Sequence, residues 1–87
     1  MNIQKNLDNA VLTLTLQGRL DAITAPLLNE VVENELTGVK KLILDFGFVE
    51  YVSSAGLRVI LTAQDIMDEP NSQLQIINYK LRNFLRK

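Results

Sequence analysis

A short, continuously apolar run, Leu42-Ile43-Leu44, lies between two segments whose apolar residues recur at helical spacing. A run of this kind is typical of a central strand that is covered on both faces. A strand with a helical segment before and after it predicts β-α-β units, and therefore a mainly parallel sheet with right-handed crossovers.

The chain before this run predicts a β-hairpin. Ile3 to Leu7 indicates a short edge strand, and Asp8-Asn9 indicates a turn. The next segment alternates strictly between leucine and other residues, which is the pattern of a half-buried strand. One face of that strand carries Leu12, Leu14 and Leu16, and the other carries Val11, Thr13 and Thr15.

Two helices are predicted, one on each side of the central strand in sequence. The first follows a break at Gly18-Arg19-Leu20-Asp21. Thr24 is its expected cap, Pro26 lies in its first turn and Gly38 closes it. The second runs from about Ser54 to Met67. The expected buried stripes are Leu28, Val31, Val32 and Leu36 in the first helix, and Leu57, Ile60, Leu61 and Met67 in the second, with Arg58 and Asp65 outside.

The remaining chain predicts a last strand, Leu74 to Ile77, and the beginning of a third helix at Leu81 to Leu85. The order is β-β-α-β-α-β-α. We expect an α/β fold in one domain, residues 1–87. It has a mixed, mainly parallel four-stranded sheet with one antiparallel edge strand. If both crossovers advance the same way, both helices pack on one face of the sheet, as we expect, and the exposed face then carries Thr13 and Thr15.

This topology brings two loops to one edge of the sheet. In parallel β-α units, the strand ends that lead into helices share an edge, and functional sites collect there. The loops are Gly18 to Thr24 and Gly47 to Gly56. Asp21 and Ser54 are therefore expected to be neighbours in space, although they are far apart in sequence.

Composition excludes several classes of chemistry. The chain has no histidine, so it has neither a Ser-His-Asp relay nor a histidine metal ligand, and it has no cysteine for a disulfide or a cysteine zinc site. The net charge of −1 gives no case for direct nucleic-acid binding, and no apolar run is long enough to span a membrane. We expect a cytoplasmic protein without a cofactor or metal.

The run Ser53-Ser54-Ala55-Gly56-Leu57 lies where the second helix begins. One reading is structural, because a serine hydroxyl commonly caps the free amides of the first turn. Gly56 is unfavourable in a helix, and it either permits close packing on the sheet or leaves the serine uncovered for another protein. The other reading is functional: a phosphate on Ser54 would meet the positive end of the helix dipole and would add negative charge beside Asp21.

Three motifs in order resemble the STAS domain family of bacterial anti-sigma factor antagonists. They are Gly18-Arg19-Leu20-Asp21, Leu42-Ile43-Leu44-Asp45-Phe46 and Tyr51-Val52-Ser53-Ser54-Ala55-Gly56-Leu57, and the resemblance covers about Val11 to Ile77. It implies a non-catalytic module that binds an anti-sigma factor with serine kinase activity while unphosphorylated. That kinase then phosphorylates Ser54, and a serine phosphatase resets the module.

The resemblance also implies a partner-binding surface. The sequence departs from the family pattern in two places. Well-known relatives carry aspartate where this chain has Ser53, which makes Ser53 the alternative phosphorylation site. The chain ends at Lys87, so the C-terminus is expected to be shortened, and a homodimer could cover apolar surface left bare. The implied partner-binding residues are Asp21, Ser53, Ser54, Ala55, Gly56 and Arg58.

Several alternatives stay open. A regulatory subunit of a lipid-transport ATPase keeps the fold and changes the partner, and the basic residues from Lys80 to Lys87 fit it mildly. An enzyme with Ser54 as nucleophile would need a base that the sequence does not supply. On the loop, Phe48, Val49 and Tyr51 would form either a docking patch or core. A magnesium site would use Asp21, Asp45 and Glu50.

Overall fold

A computed structural model of the chain describes residues 1–80. The third helix predicted from Leu81 lies outside the described residues, as do the basic residues Arg82, Arg86 and Lys87. The elements are β1 (Asn2–Asp8), β2 (Val11–Leu20), α1 (Ala25–Glu35), β3 (Lys41–Val52), α2 (Ser54–Ile66) and β4 (Gln73–Ile77).

The four strands form one mixed sheet in the order β1-β2-β3-β4. β1 pairs with β2 antiparallel, whereas β2, β3 and β4 are parallel to one another. The two helices contact each other and cover one face of the sheet, where Leu12, Leu14 and Leu16 are buried. Thr13 and Thr15 are half-buried on the other face. These observations confirm the predicted fold class.

Among residues 1–80, the helices cover the central strand on one face only. In β3, Leu42 and Leu44 are fully buried under the helices, but Ile43 between them is only half-buried on the open face. The expectation that this strand is covered on both faces was therefore wrong. Both crossovers advance in the same direction, so α1 and α2 lie on the same face and neither covers the second one.

The strands extend further toward the functional edge than the sequence indicated. Gly18-Arg19-Leu20 belongs to β2, and the segment Gly47 to Val52, expected as a loop, belongs to β3. The pairing register shifts between Thr15 and Gln17 and again between Gly18 and Arg19. At each shift β3 has one residue more than β2, which is the pattern of a β-bulge. Gly18 and Gly47 lie next to these bulges, so they are inside strands although they resemble turn residues in the sequence.

The buried stripe of α2 differs from the predicted one. Ile60 and Met67 are buried as expected, but Leu57 is 38% exposed and Leu61 is 64% exposed. The positions that face the sheet also include small residues, which allow the helix to approach closely and move the two leucines to its flank. The buried positions are Gly56, Val59, Ile60, Ala63 and Met67.

Candidate functional site

The ends of β2 and β3 bring the two predicted site segments together. Leu20 pairs with Val52, and the N–H of Ser53 donates a 2.9 Å hydrogen bond to the carbonyl oxygen of Leu20. Asp21 directly follows Leu20 and Ser54 directly follows Ser53, so they lie at the same edge of the sheet. The expectation that they share this edge is confirmed.

Asp21 organises the loop that leads into α1. Its Oδ1 atom accepts hydrogen bonds from the N–H groups of Ile23, at 3.0 Å, and Thr24, at 3.2 Å. The hydrogen bond from the Thr24 N–H is the main reason why the pKa of Asp21 lies below its ordinary value of 3.8, since it favours the ionised carboxylate. The carboxylate therefore stabilises the loop conformation from which α1 begins.

Thr24 lies at the N-cap position of α1, but its side chain does not cap the helix. The hydroxyl instead donates to the carbonyl oxygen of Arg19 at 2.6 Å and accepts from the N–H of Asp21 at 2.9 Å. The predicted capping bond was wrong because this hydroxyl is engaged by the preceding loop. Pro26 does lie in the first turn, as predicted.

Arg19 and Tyr51 form a cross-strand pair that the sequence did not reveal. The two residues are register partners, and the Arg19 guanidinium carbon lies 4.6 Å from the centre of the Tyr51 ring. Arg19 Nε is also 3.5 Å from Asp21 Oδ2. The Arg19 guanidinium thus contacts both the face of the Tyr51 ring and the Asp21 carboxylate. These contacts connect the end of β3 to the loop that follows β2. Its position inside the Gly18-to-Asp21 motif was the only sequence signal.

The two serines at the start of α2 have different roles. Ser53 is the N-cap residue: its backbone is extended, and its Oγ accepts a long, 3.4 Å hydrogen bond from the N–H of Gly56. Ser54 is the first helical residue, and it is exposed. Within residues 1–80 the Ser54 hydroxyl has no hydrogen-bond partner. The capping role predicted for one of the two serines belongs to Ser53, which leaves the Ser54 oxygen accessible.

Gly56 is buried and contributes to the site by letting α2 approach β2. A Cβ atom at this position would lie 2.6 Å from Leu20 Cγ and 2.9 Å from the Leu20 carbonyl oxygen. No side chain larger than hydrogen fits there without movement. This close approach fixes the height of the Ser53–Ser54 segment above the sheet edge.

One helical turn after Ser54, Arg58 is among the residues that line a groove between α1 and α2. The groove has a volume of about 360 Å³. Arg58 is exposed, and within residues 1–80 its guanidinium has no carboxylate at ion-pair distance. The other residues lining the groove are uncharged: Ala22, Ala25, Pro26, Asn29, Ala55, Val59 and Thr62.

The alternative site residues do not assemble into a metal centre within residues 1–80. Asp45 Oδ1 accepts hydrogen bonds from the Gly47 N–H at 2.9 Å and from Asn78 Nδ2 at 3.0 Å, so it ties β3 to the end of β4. Of the three residues weighed as a docking patch, Val49 is buried and Phe48 is 65% exposed on the open sheet face. The part of the chain that the structure describes contains no helix long and apolar enough to cross a membrane.

The sequence from residue 2 to residue 80 matches the STAS domain family model, so the chain belongs to the STAS domain family. None of the curated proteins matches the sequence. Solved structures share the fold at low sequence identity, and they include anti-sigma factor antagonists.

The anti-sigma factor antagonist SpoIIAA in its unphosphorylated form matches with a TM-score of 0.78 and 15% identity, over 91% of this chain and 74% of that chain. The Bacillus cell fate determinant SpoIIAA in its phosphorylated form matches with a TM-score of 0.78 and 14% identity, over 92% and 75%. For the first structure found, that of Mglu, the TM-score is 0.77 and the identity 15%, over 90% of this chain but only 20% of that chain. The domain therefore also resembles a small part of a longer protein.

Proposed function

We propose that this domain is a phosphorylation-controlled binding module, a non-catalytic anti-sigma factor antagonist of the bacterial cytoplasm. Its partner is an anti-sigma factor that is also a serine kinase. It binds this partner while Ser54 is unphosphorylated, and a serine phosphatase reverses the modification. The docking surface comprises Asp21, Ser53, Ser54, Ala55, Gly56 and Arg58, with Gly56 acting through the helix position that it permits.

The observation that supports this proposal is that the two serines have different environments. Ser53 caps α2, whereas the Ser54 hydroxyl is exposed and has no partner within residues 1–80. A kinase can therefore reach Ser54 without breaking a contact that holds the helix. Ser53 is the less suitable acceptor, because its oxygen is half-buried and already engaged.

The charge at this edge explains how one phosphate would switch binding. A phosphoserine carries about −1.5 to −2 charges at pH 7. On Ser54 it would lie at the positive end of the α2 dipole, which tolerates it, and on the same edge as the ionised Asp21. A partner surface fitted to the neutral serine would be repelled while the fold stays intact.

The test is incubation of the chain with the anti-sigma factor kinase of the same organism and ATP, followed by mapping of the phosphate by mass spectrometry. We expect phosphate on Ser54, no incorporation in Ser54→Ala, and normal incorporation in Ser53→Ala. Phosphate found only on Ser53 or elsewhere, or binding without phosphorylation, would contradict the proposal. A pull-down that recovers a lipid-transport ATPase and no anti-sigma factor kinase would support the alternative partner.

A further inference from the structure

Arg58 lies four residues after Ser54 in α2, and both side chains are exposed. Residues four apart in a helix lie on the same face, with Cβ atoms about 5–6 Å apart. Helical side chains also lean toward the N-terminus, so an arginine at position 58 can extend over the turn that contains Ser54. A group attached to the Ser54 oxygen would therefore be within reach of the guanidinium.

Of the two arginines near this edge, Arg58 is the one that can form an ion pair with a group attached to Ser54. Arg19 is held between Asp21 and Tyr51, whereas Arg58 has no carboxylate at ion-pair distance within residues 1–80. The carboxylate nearest along the same stripe is Asp65, about two turns further on, which is beyond ion-pair reach.

We propose that Arg58 binds the phosphate carried by Ser54 in the modified state. The inference rests on the proposed function, since it requires that Ser54 is the phosphorylated residue. A guanidinium matches phosphate oxygens in a two-pronged arrangement, and such charge-assisted hydrogen bonds are stronger than neutral ones. The phosphate is thereby fixed on the helix surface and does not move freely in solvent.

Because of this contact, the modification changes the charge of the α1–α2 groove in two ways. The phosphate adds negative charge beside the groove, and it also pairs with the one charged side chain among the described residues that line it, Arg58. A partner carboxylate that would reach Arg58 in the unmodified domain loses its counter-charge. The groove changes from a cationic to an anionic surface without any rearrangement of the helices.

The experiment uses the full 87-residue chain with phosphoserine placed at position 54 during translation, so that it needs no kinase. The phosphorus-31 chemical shift is followed as a function of pH in the parent chain, in Arg58→Gln and in Arg58→Lys. We expect the phosphate pKa in the parent to lie about 0.2–0.4 pH unit below that in Arg58→Gln, because the guanidinium favours the dianion. Arg58→Lys should show a smaller lowering, since ammonium lacks the planar fork.

Arg19→Gln is the matched control, because Arg19 is the other cation at this edge and pairs with Asp21. Circular dichroism spectra and melting curves of each variant confirm that it is folded, as expected for changes at exposed positions. Equal phosphate pKa values in the parent and Arg58→Gln would overturn the inference, as would an effect of Arg19→Gln that equals or exceeds that of Arg58→Gln. Neither result shows whether the kinase modifies Ser54. The proposed function is tested separately, by the phosphate mapping described above.

Discussion

Gly56 lies directly against Leu20, so closely that a methyl group on Gly56 would stand 2.6 Å from the Leu20 Cγ atom. The contact joins the start of α2 to the end of β2. Ser54 is the first residue of α2, and Asp21 directly follows β2. The spacing between the halves of the proposed docking surface is therefore set by a glycine that would be unfavourable in an isolated helix.

The first prediction follows from this contact. Gly56→Ala should lower the free energy of unfolding by up to about 2 kcal/mol, because overpacking against Leu20 costs about 1–3 kcal/mol and outweighs the gain in helix propensity of about 1 kcal/mol. Urea denaturation measures the change. The control is Gln64→Ala at an exposed position of the same helix, which should stay within about 0.5 kcal/mol of the parent. An equally stable Gly56→Ala variant would show that the helix moves freely away from β2.

The second prediction separates the two serines by stability. Ser53→Ala should cost about 0.5–1 kcal/mol of unfolding free energy, at the lower end of capping effects because its bond to the Gly56 N–H is long. Ser54→Ala should change stability by less than about 0.5 kcal/mol, since its hydroxyl has no partner within residues 1–80. Thermal and urea unfolding of both variants checks this. A larger loss for Ser54→Ala would mean that Ser54 is mainly structural.

Much of the fold could be predicted from the sequence because its signals are periodic. The alternation from Val11 to Leu16 predicts a strand with one buried face, and Pro26 correctly marks the first turn of α1. The shared edge of Asp21 and Ser54 followed from topology alone, since parallel strands that lead into helices end on the same side.

The rest depends on tertiary contacts that a periodic pattern does not encode. Gly18 and Gly47 resemble loop residues in the sequence, but each lies inside a strand near a register shift. The buried face of α2 is centred on Gly56 and Ala63, and residues this small carry little weight in a hydrophobic pattern. The hydroxyl of Thr24 was assigned to the helix cap, whereas Arg19 and Asp21 engage it in the loop.

The third prediction tests the corrected face of α2 with two neighbouring aliphatic residues. Ile60 is 9% exposed and Leu61 is 64% exposed. Ile60→Ala should therefore cost about 2–5 kcal/mol, as large-to-small changes in a core do. Leu61→Ala should cost well under about 1 kcal/mol, because that side chain already contacts water. Urea unfolding of the pair decides the question, and similar losses for both would favour the stripe first predicted from the sequence.

The fourth prediction concerns binding. Ser54→Asp should weaken the complex with the anti-sigma factor by about tenfold or more, because a carboxylate at this edge repels the surface that the neutral serine accepts. Its melting temperature should stay near that of the parent, since a negative charge in the first turn suits the helix dipole. Isothermal titration calorimetry and a thermal melt measure the two effects. Gln64→Asp is the control for an added charge on α2, and binding lost equally there would argue against a local switch.

The last prediction is a pH dependence that comes from Asp21. Its pKa is lowered in the folded state, mainly by the hydrogen bond from the Thr24 N–H, so the ionised carboxylate stabilises the fold. This stabilisation is fully present well above the ordinary pKa of 3.8 and is lost as the pH falls through the lower, folded value. Asp21→Asn keeps the shape and an acceptor oxygen but removes the charge. The variant should melt below the parent at pH 7, and the difference should shrink as the pH falls below about 3.8.

Melting curves from pH 7 to pH 2.5 for the parent and Asp21→Asn measure that difference, within a range where both remain folded. Asp68→Asn, at an exposed position after α2, controls for the general effect of removing one negative charge. A difference that stays constant down to the lowest pH would show that the loop depends on the acceptor geometry of residue 21 and not on its charge. If the difference in melting temperature disappears at low pH for Asp21→Asn but not for Asp68→Asn, the charge of Asp21 stabilises the β2–α1 loop. The same carboxylate then adds to the repulsion that a phosphate on Ser54 would bring to this edge.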